Sequence, residues 1–431
     1  MPSFPAVMRD LHLINNKSLK RISCKVGEWL SVTLEGFRPS SYLTSETARL
    51  QETVGNGKAI AAVSGGVDST VAALVAKRAL GDRLLPVFID TGFLRAGEPE
   101  NVKARLAEPS LGLKVKLVKA GGRFLEATKG EAMAEQKRKK FRETFYQILG
   151  EEARKDGCDF VVQGTIAPDW IETQGGIKTQ HNILEQVGID SLSKYGFRVV
   201  EPVSELYKDQ VRVLGRHLDL PRDMSERQPF PGPGLLVRCI GTVSKKKLDL
   251  LKSSTKIVEE KLGPFNYDQY FAGVIENKFT EEPVYKNLDE TAAEALGLPA
   301  SETRVDVFED RVTGVKGDTR SYGRLAGIKI KDDSRETYGW LPEKLRLAQS
   351  SIVEKFAEVT RVSVLIKEKR GGPPLSVIVR AVSTRDFMTA AVAQVPWKIL
   401  KDIAESILKT DGSSRVYYDI TPKPPATIEF E

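Results

Sequence analysis

The stretch Lys58-Ala59-Ile60-Ala61-Ala62-Val63-Ser64-Gly65-Gly66-Val67-Asp68-Ser69-Thr70 decides the fold. Apolar residues run to Val63, a glycine turn follows, a helical run extends from Thr70 to Leu80, and a second apolar run covers residues 84–89. Strand, loop, helix, strand is the unit of a parallel sheet. Further strands are predicted at 114–118, 160–163 and 197–200, separated by helical stretches of which 131–155 is long and charge-rich. A doubly wound α/β domain is the expectation.

Glycines at 65 and 66 let backbone amides turn toward an anion, and the helix that follows adds partial positive charge at its N-terminus. Ser64 and Ser69 can donate hydroxyl hydrogen bonds, and Asp68 can orient the loop, hold Mg2+ or cap the helix. The loop lacks the G-x-x-x-x-G-K-[ST] pattern whose lysine reaches the β and γ phosphates, so transfer of a γ-phosphoryl group is not what it suggests.

The chain has 431 residues, enough for two or three domains with ordinary cores. Its 65 basic against 58 acidic residues suit anionic small substrates and make no case for nucleic-acid binding. No stretch reaches the roughly 18 apolar residues of a membrane span, and the N-terminus lacks a signal-peptide pattern, so a cytoplasmic protein is expected. Cys24, Cys158 and Cys239 are far apart and form no C-x-x-C pair, which argues against a disulfide framework or a thiolate zinc site.

Gln228-Pro229-Phe230-Pro231-Gly232-Pro233-Gly234 packs three prolines and two glycines into seven residues, and we place a domain boundary there. The expected division is an N-terminal segment without a readable motif (1–45), a nucleotide-binding domain (46–228) and a C-terminal domain (229–431). Within the last, a strand, a helix and a second strand occur twice. The first copy runs from 325–330 through 343–356 to Thr360-Arg361-Val362, and the second from 377–382 through 397–408 to Ser414-Arg415-Val416. An internal duplication or a coincidence of two generic units both fit this pattern.

Ser-Gly-Gly-Val-Asp-Ser resembles the PP-loop of the N-type ATP pyrophosphatases, which split ATP between its α and β phosphates. Gly164-Thr165-Ile166-Ala167-Pro168-Asp169-Trp170-Ile171-Glu172, the 229–234 turn and Lys423-Pro424-Pro425-Ala426-Thr427-Ile428-Glu429 resemble the GMP synthetase family, as do Glu201-Pro202, Tyr207-Lys208-Asp209, Gly317-Asp318-Thr319-Arg320 and Asp386-Phe387-Met388-Thr389. The resemblance covers residues 58–431. It implies a Rossmann-like adenine-nucleotide-hydrolase domain followed by a smaller α/β dimerisation-type domain. The implied reaction is ATP-dependent amination of XMP to GMP through adenyl-XMP, with AMP and pyrophosphate released.

That resemblance implies ATP contacts from Ser64, Gly65, Gly66, Val67, Asp68, Ser69, Thr70 and Asp90, although on chemistry alone Asp90 is equally a helix-capping residue. Asp169 and Glu172, three apart, are candidate Mg2+ ligands, Asp169 being equally a capping residue. Lys208 is a candidate cation for the leaving pyrophosphate or a plain surface lysine. Arg227, Pro231, Gly232, Lys423, Thr427, Ile428 and Glu429 are the implied XMP contacts, and the tail is expected to dock. Over the site the family commonly has Ile-Lys-Ser-His-His-Asn followed by Gly-Gly-Leu-Pro, whereas this chain reads Ile177-Lys178-Thr179-Gln180-His181-Asn182-Ile183-Leu184-Glu185. Lys178 and His181 remain candidate catalytic residues, and loss of the glycines stiffens the loop.

A glutaminase domain needs a nucleophilic cysteine with a histidine and a carboxylate, and His12, His181 and His217 offer no such set. Ammonia is therefore expected free or from a separate amidotransferase subunit, as in the two-subunit members of the family. Extra residues at about 324–379 resemble an insertion in eukaryotic members; if they mimic a second subunit the protein is a monomer, and otherwise a homodimer. Rival readings are a PP-loop enzyme with another acceptor, such as tRNA for thiolation, or a nucleotide-binding paralogue without turnover.

Overall fold

The computed structural model describes residues 36–169, 191–225, 228–282, 285–316, 319–331, 342–384 and 388–431. Helix α1 (Pro39–Val54) packs Leu43, Leu50 and Val54 inward against α2 (Val67–Leu80). Five parallel strands, β1 (Ala59–Ala62), β2 (Leu84–Asp90), β3 (Lys116–Lys119), β4 (Phe160–Val162) and β5 (Arg198–Val200), lie in the order β3-β2-β1-β4-β5. This is the doubly wound sheet expected from the strand, loop, helix, strand reading. The inner strands β1, β2 and β4 are nearly all apolar because both faces are covered, whereas edge strand β3 exposes Lys116 and Lys119. Ala59 and Ala61 of β1 join the core that includes α2, whereas Ile60 joins the core built on α3 (Ala134–Asp156).

Strand order reverses between β1 and β4, and a crevice opens at the carboxyl ends of these two strands, where open α/β sheets take their ligands. Helix α4 (Lys208–His217) points its N-terminus into the same region and packs beside α2.

After the 228–234 turn come α5 (Lys245–Leu262) and a second sheet. It contains β6 (Gln269–Glu276), β7 (Thr303–Lys316), β8 (Thr319–Ile330), β9 (Val359–Glu368), β10 (Leu375–Ser383), β11 (Ala391–Val392) and β12 (Arg415–Asp419). The order is β11-β10-β12-β9-β8-β7, with β6 antiparallel to β10. Helix α6 (Leu288–Leu296) packs on α7 (Pro342–Lys355), and α5 packs on α8 (Trp397–Leu408).

The two copies seen in the sequence are parts of two larger units with matching register. In one, Ala326 of β8 pairs with Val307 of β7 and Val362 of β9; in the other, Val377 of β10 pairs with Val274 of β6 and Val416 of β12. Two residues on, Ile328 pairs with Val305 and Val364, and Val379 with Ala272 and Tyr418. The units meet where β9 and β12 run antiparallel, with Val364 opposite Tyr418. The unit β7-β8-β9 is threaded entire between β6 and β10 of the other.

Candidate functional site

The loop after β1 is preorganised by its own hydroxyls. Ser64 Oγ lies 2.9 Å from Ser69 Oγ, the Ser64 amide donates to Ser69 Oγ at 3.1 Å, and the Gly66 amide donates to Ser64 Oγ at 3.3 Å. Gly65 has φ 79°, and a Cβ there would meet Val102 at 2.8 Å, so only glycine fits. Gly66 precedes α2 without a side-chain cap, which leaves that helix's N-terminal charge facing the crevice.

Asp68 does not cap α2. Its carboxylate accepts from Lys208 Nζ at 2.5 Å, joining the first turns of α2 and α4. A lysine in a first helical turn opposes the macrodipole, and the partner carboxylate offsets that cost. Asp68 Oδ1 is buried without a hydrogen-bond partner among the described residues. Asp169 accepts from the Ile166 amide at 3.0 Å through Oδ2, reaching back three residues as the acidic partner in a capping box does.

These groups surround one cavity of about 360 Å³. Of the residues singled out by sequence, Ser64, Gly65, Gly66, Val67, Asp68, Ser69, Asp169, Lys208, Pro231 and Gly232 line it. Thr70 is buried within α2, and Asp90 accepts from the Gly92 amide at 2.9 Å outside the lining. Glu172, Lys178, His181 and Arg227 lie outside the described residues.

Lys423, Thr427, Ile428 and Glu429 do not line the cavity among the described residues, but Glu429 is linked to its wall. Glu429 accepts both arms of a fork from Arg238, at 2.8 and 2.9 Å, and a hydrogen bond from Gln269 Nε2 at 3.2 Å. The same Gln269 nitrogen reaches the Pro229 carbonyl at 3.4 Å, beside Phe230 and Pro231. The Thr427 hydroxyl is turned inward, within 3.2 Å of the Thr313 carbonyl and 2.6 Å of the Glu429 carbonyl.

Sequence reasoning missed the wall opposite the loop, where Phe141, Arg142, Phe145 and Tyr146 of α3 and Gln163 after β4 face the cavity. Tyr146 donates to Gln163 Oε1 at 3.0 Å, and burial pushes its phenol up. It also missed Arg212, which follows Lys208 by one helical turn, and that spacing was a readable signal. Cys158 and Cys239 are buried, and burial pushes the Cys158 thiol up to about 11. That is the reverse of what a persulfide-forming cysteine needs.

Residues 374–430 match the model of the GMP synthase C terminal domain. Over 399 residues the chain is 44% identical to a subunit of the glutamine-hydrolyzing GMP synthase of Sulfurisphaera tokodaii, covering 92% of this chain and 100% of the relative. It is 36% identical over 396 residues to the protein of the same description from Methanosarcina acetivorans, covering 91% of this chain and 99% of that one. Among solved structures, the NMN synthetase of Francisella tularensis aligns with a TM-score of 0.36 at 21% identity, over 46% of this chain and 78% of that one.

Proposed function

The chain belongs to the family of these GMP synthase subunits, and we propose that it aminates XMP to GMP at the expense of ATP, with ammonia delivered free or by a separate glutaminase subunit. The observation that carries this reading is the convergence of the Ser64–Ser69 loop, the uncapped start of α2 and the Asp68–Lys208 pair on one cavity. Such a site is built for a polyanion that gains charge as it leaves.

In the proposed reaction O2 of XMP attacks the α-phosphate of ATP. Pyrophosphate departs into the Ser64–Ser69 loop, whose amides receive it together with Lys208. Lys208 exchanges its carboxylate partner for phosphate oxygens, which its partly exposed side chain permits. Asp68 Oδ1, an orphaned hard oxygen, and Asp169 fit a Mg2+ carried in with the triphosphate. That ion would neutralise charge on the phosphates. Ammonia then attacks C2 of the purine and AMP leaves. Phe141, Phe145 and Phe230 supply apolar wall that keeps water from the adenylate.

We place the ATP pyrophosphatase domain at 46–228 and the domain that takes XMP at 229–431, with the ligand between them. The test is GMP formation from XMP, ATP and Mg2+ with ammonium or glutamine as nitrogen source, following pyrophosphate and AMP. Activity with ammonium alone is expected. Nucleotide binding without pyrophosphate release would overturn the reading in favour of a paralogue without turnover.

A further inference from the structure

The shared register identifies equivalent positions in the two units of the second sheet. Arg361 sits beside Leu325 in the β8–β9 pair, and Arg415 beside Ser376 in the β10–β12 pair, each one residue before the matched valines Val362 and Val416. Equivalent arginines would be expected to do equivalent things, and these do not.

Arg361 is fully buried, and every contact of its guanidinium serves the tail or its anchor. Nη1 meets Asp419 at 2.8 Å, and Nη2 donates to the Thr427 carbonyl at 2.7 Å, to Thr427 Oγ1 at 2.9 Å and to the Glu429 carbonyl. Nε donates to the Thr313 carbonyl at 3.2 Å, and the group lies 4.8 Å from the Phe430 ring. Arg380 of β10 completes the clasp, donating to Asp419, Thr421, Thr427 and Ile428. Arg415 has no tail to hold. It pairs instead with Glu368 at 3.2 Å and Asp306 at 3.6 Å, and lies over Phe279.

The difference follows from connectivity. After β12 the chain continues as the tail and crosses to the end of β7, where Thr313 donates to the Phe430 carbonyl and Val315 to that of Pro425. After β9 it turns directly into β10. The threaded unit therefore gives the other unit a docking strand end and one of the two arginines that set the tail's path.

We infer that Arg361 is a positioning residue for the XMP subsite: by fixing the carbonyls of Thr427 and Glu429 it holds the Glu429 carboxylate where Arg238 and Gln269 tie it to the Pro229 turn. The inference rests on the proposed function, since it takes the tail to border XMP. A fork donating to four carbonyl or hydroxyl groups and a carboxylate at once is geometry that lysine does not reproduce.

Arg415→Gln supplies an internal control, because it removes the same side chain from the equivalent strand position. For Arg361→Gln we expect a KM for XMP about tenfold or more above wild type, a KM for ATP within about twofold, and amides of residues 426–431 exchanging at least about tenfold faster with deuterium. Arg361→Lys falls between the two and covers the case in which the glutamine variant does not fold. Arg415→Gln should lower the melting temperature and leave both KM values within about twofold. Equal effects of the two glutamine variants on the XMP KM would make Arg361 merely structural and overturn the inference, as would unchanged tail exchange in both Arg361 variants. A wild-type protein that forms no GMP overturns the function itself, a result the exchange measurement does not share.

Discussion

Lys208 and Asp68 stand 140 residues apart in sequence and 2.5 Å apart in space. Their pairing holds the cation at the mouth of the phosphate loop before any ligand arrives, so little reorganisation is needed when charge develops on the leaving group. Replacing Lys208 by methionine should lower kcat for GMP formation by about a hundredfold, while the KM for XMP changes much less. Steady-state assays of pyrophosphate release read both quantities. The loop residues themselves were legible because a glycine turn between a strand and a helix has few other uses. The Lys208–Asp68 contact was not, since nothing in either local sequence specifies a partner across the crevice. Arg142 was hidden for a different reason: it sits in a basic, charged helix whose residues look alike until packing turns one of them toward the cavity.

Loops after adjacent strands β1 and β4 are pressed together at the switch point. A Cβ on Gly164 would lie 2.6 Å from the Ser69 amide nitrogen and 2.7 Å from Ser69 Cα. Alanine at 164 must push the first turn of α2 away from β4 and with it the cradle, because the clash is with backbone that cannot rotate aside. We expect Gly164→Ala to fold and to lose at least about tenfold in ATP-dependent turnover, since misplacement of a positioned group by a fraction of an ångström is costly. Wild-type kcat in a protein of unchanged melting temperature would show that the loop has more room than this. The inner strands of the first sheet were readable from apolar runs bounded by turns, as a sheet buried on both faces requires, and edge strand β3 from the shorter stretch 114–118. Helix α1 was not, because only Leu43, Leu50 and Val54 mark its inner face and no side chain caps its start. In the second sheet the two tripeptides Thr360-Arg361-Val362 and Ser414-Arg415-Val416 were visible, but the pairings that give them meaning join β6 to β10 across residues 277–374, and local patterning carries no record of such distant partners.

On the scale of the whole molecule, the meeting of β9 with β12 gives the chain an approximate two-fold axis of its own, of the kind an isologous dimer has between its two copies. The edges that two separate copies would pair are already paired inside one chain. Light scattering of the isolated protein at micromolar concentration should therefore return the mass of a single chain, 47.7 kDa; twice that mass would show that another surface mediates association. Among the described residues no helix is long and apolar enough to cross a membrane.

Threading one unit through another also fixes an order of events during synthesis. Strand β6 ends at Glu276 and its partner β10 begins at Leu375, so β6 leaves the ribosome and waits while the whole of β7, β8 and β9 is made. The threaded unit can close on itself in that interval, from contacts between successive strands. The outer one cannot, and its edge is open until β10 arrives. A stalled or truncated chain ending near residue 370 would thus carry an inner unit whose β9 still lacks β12, beside a largely apolar β6 that lacks β10, and such strand edges invite pairing with another chain.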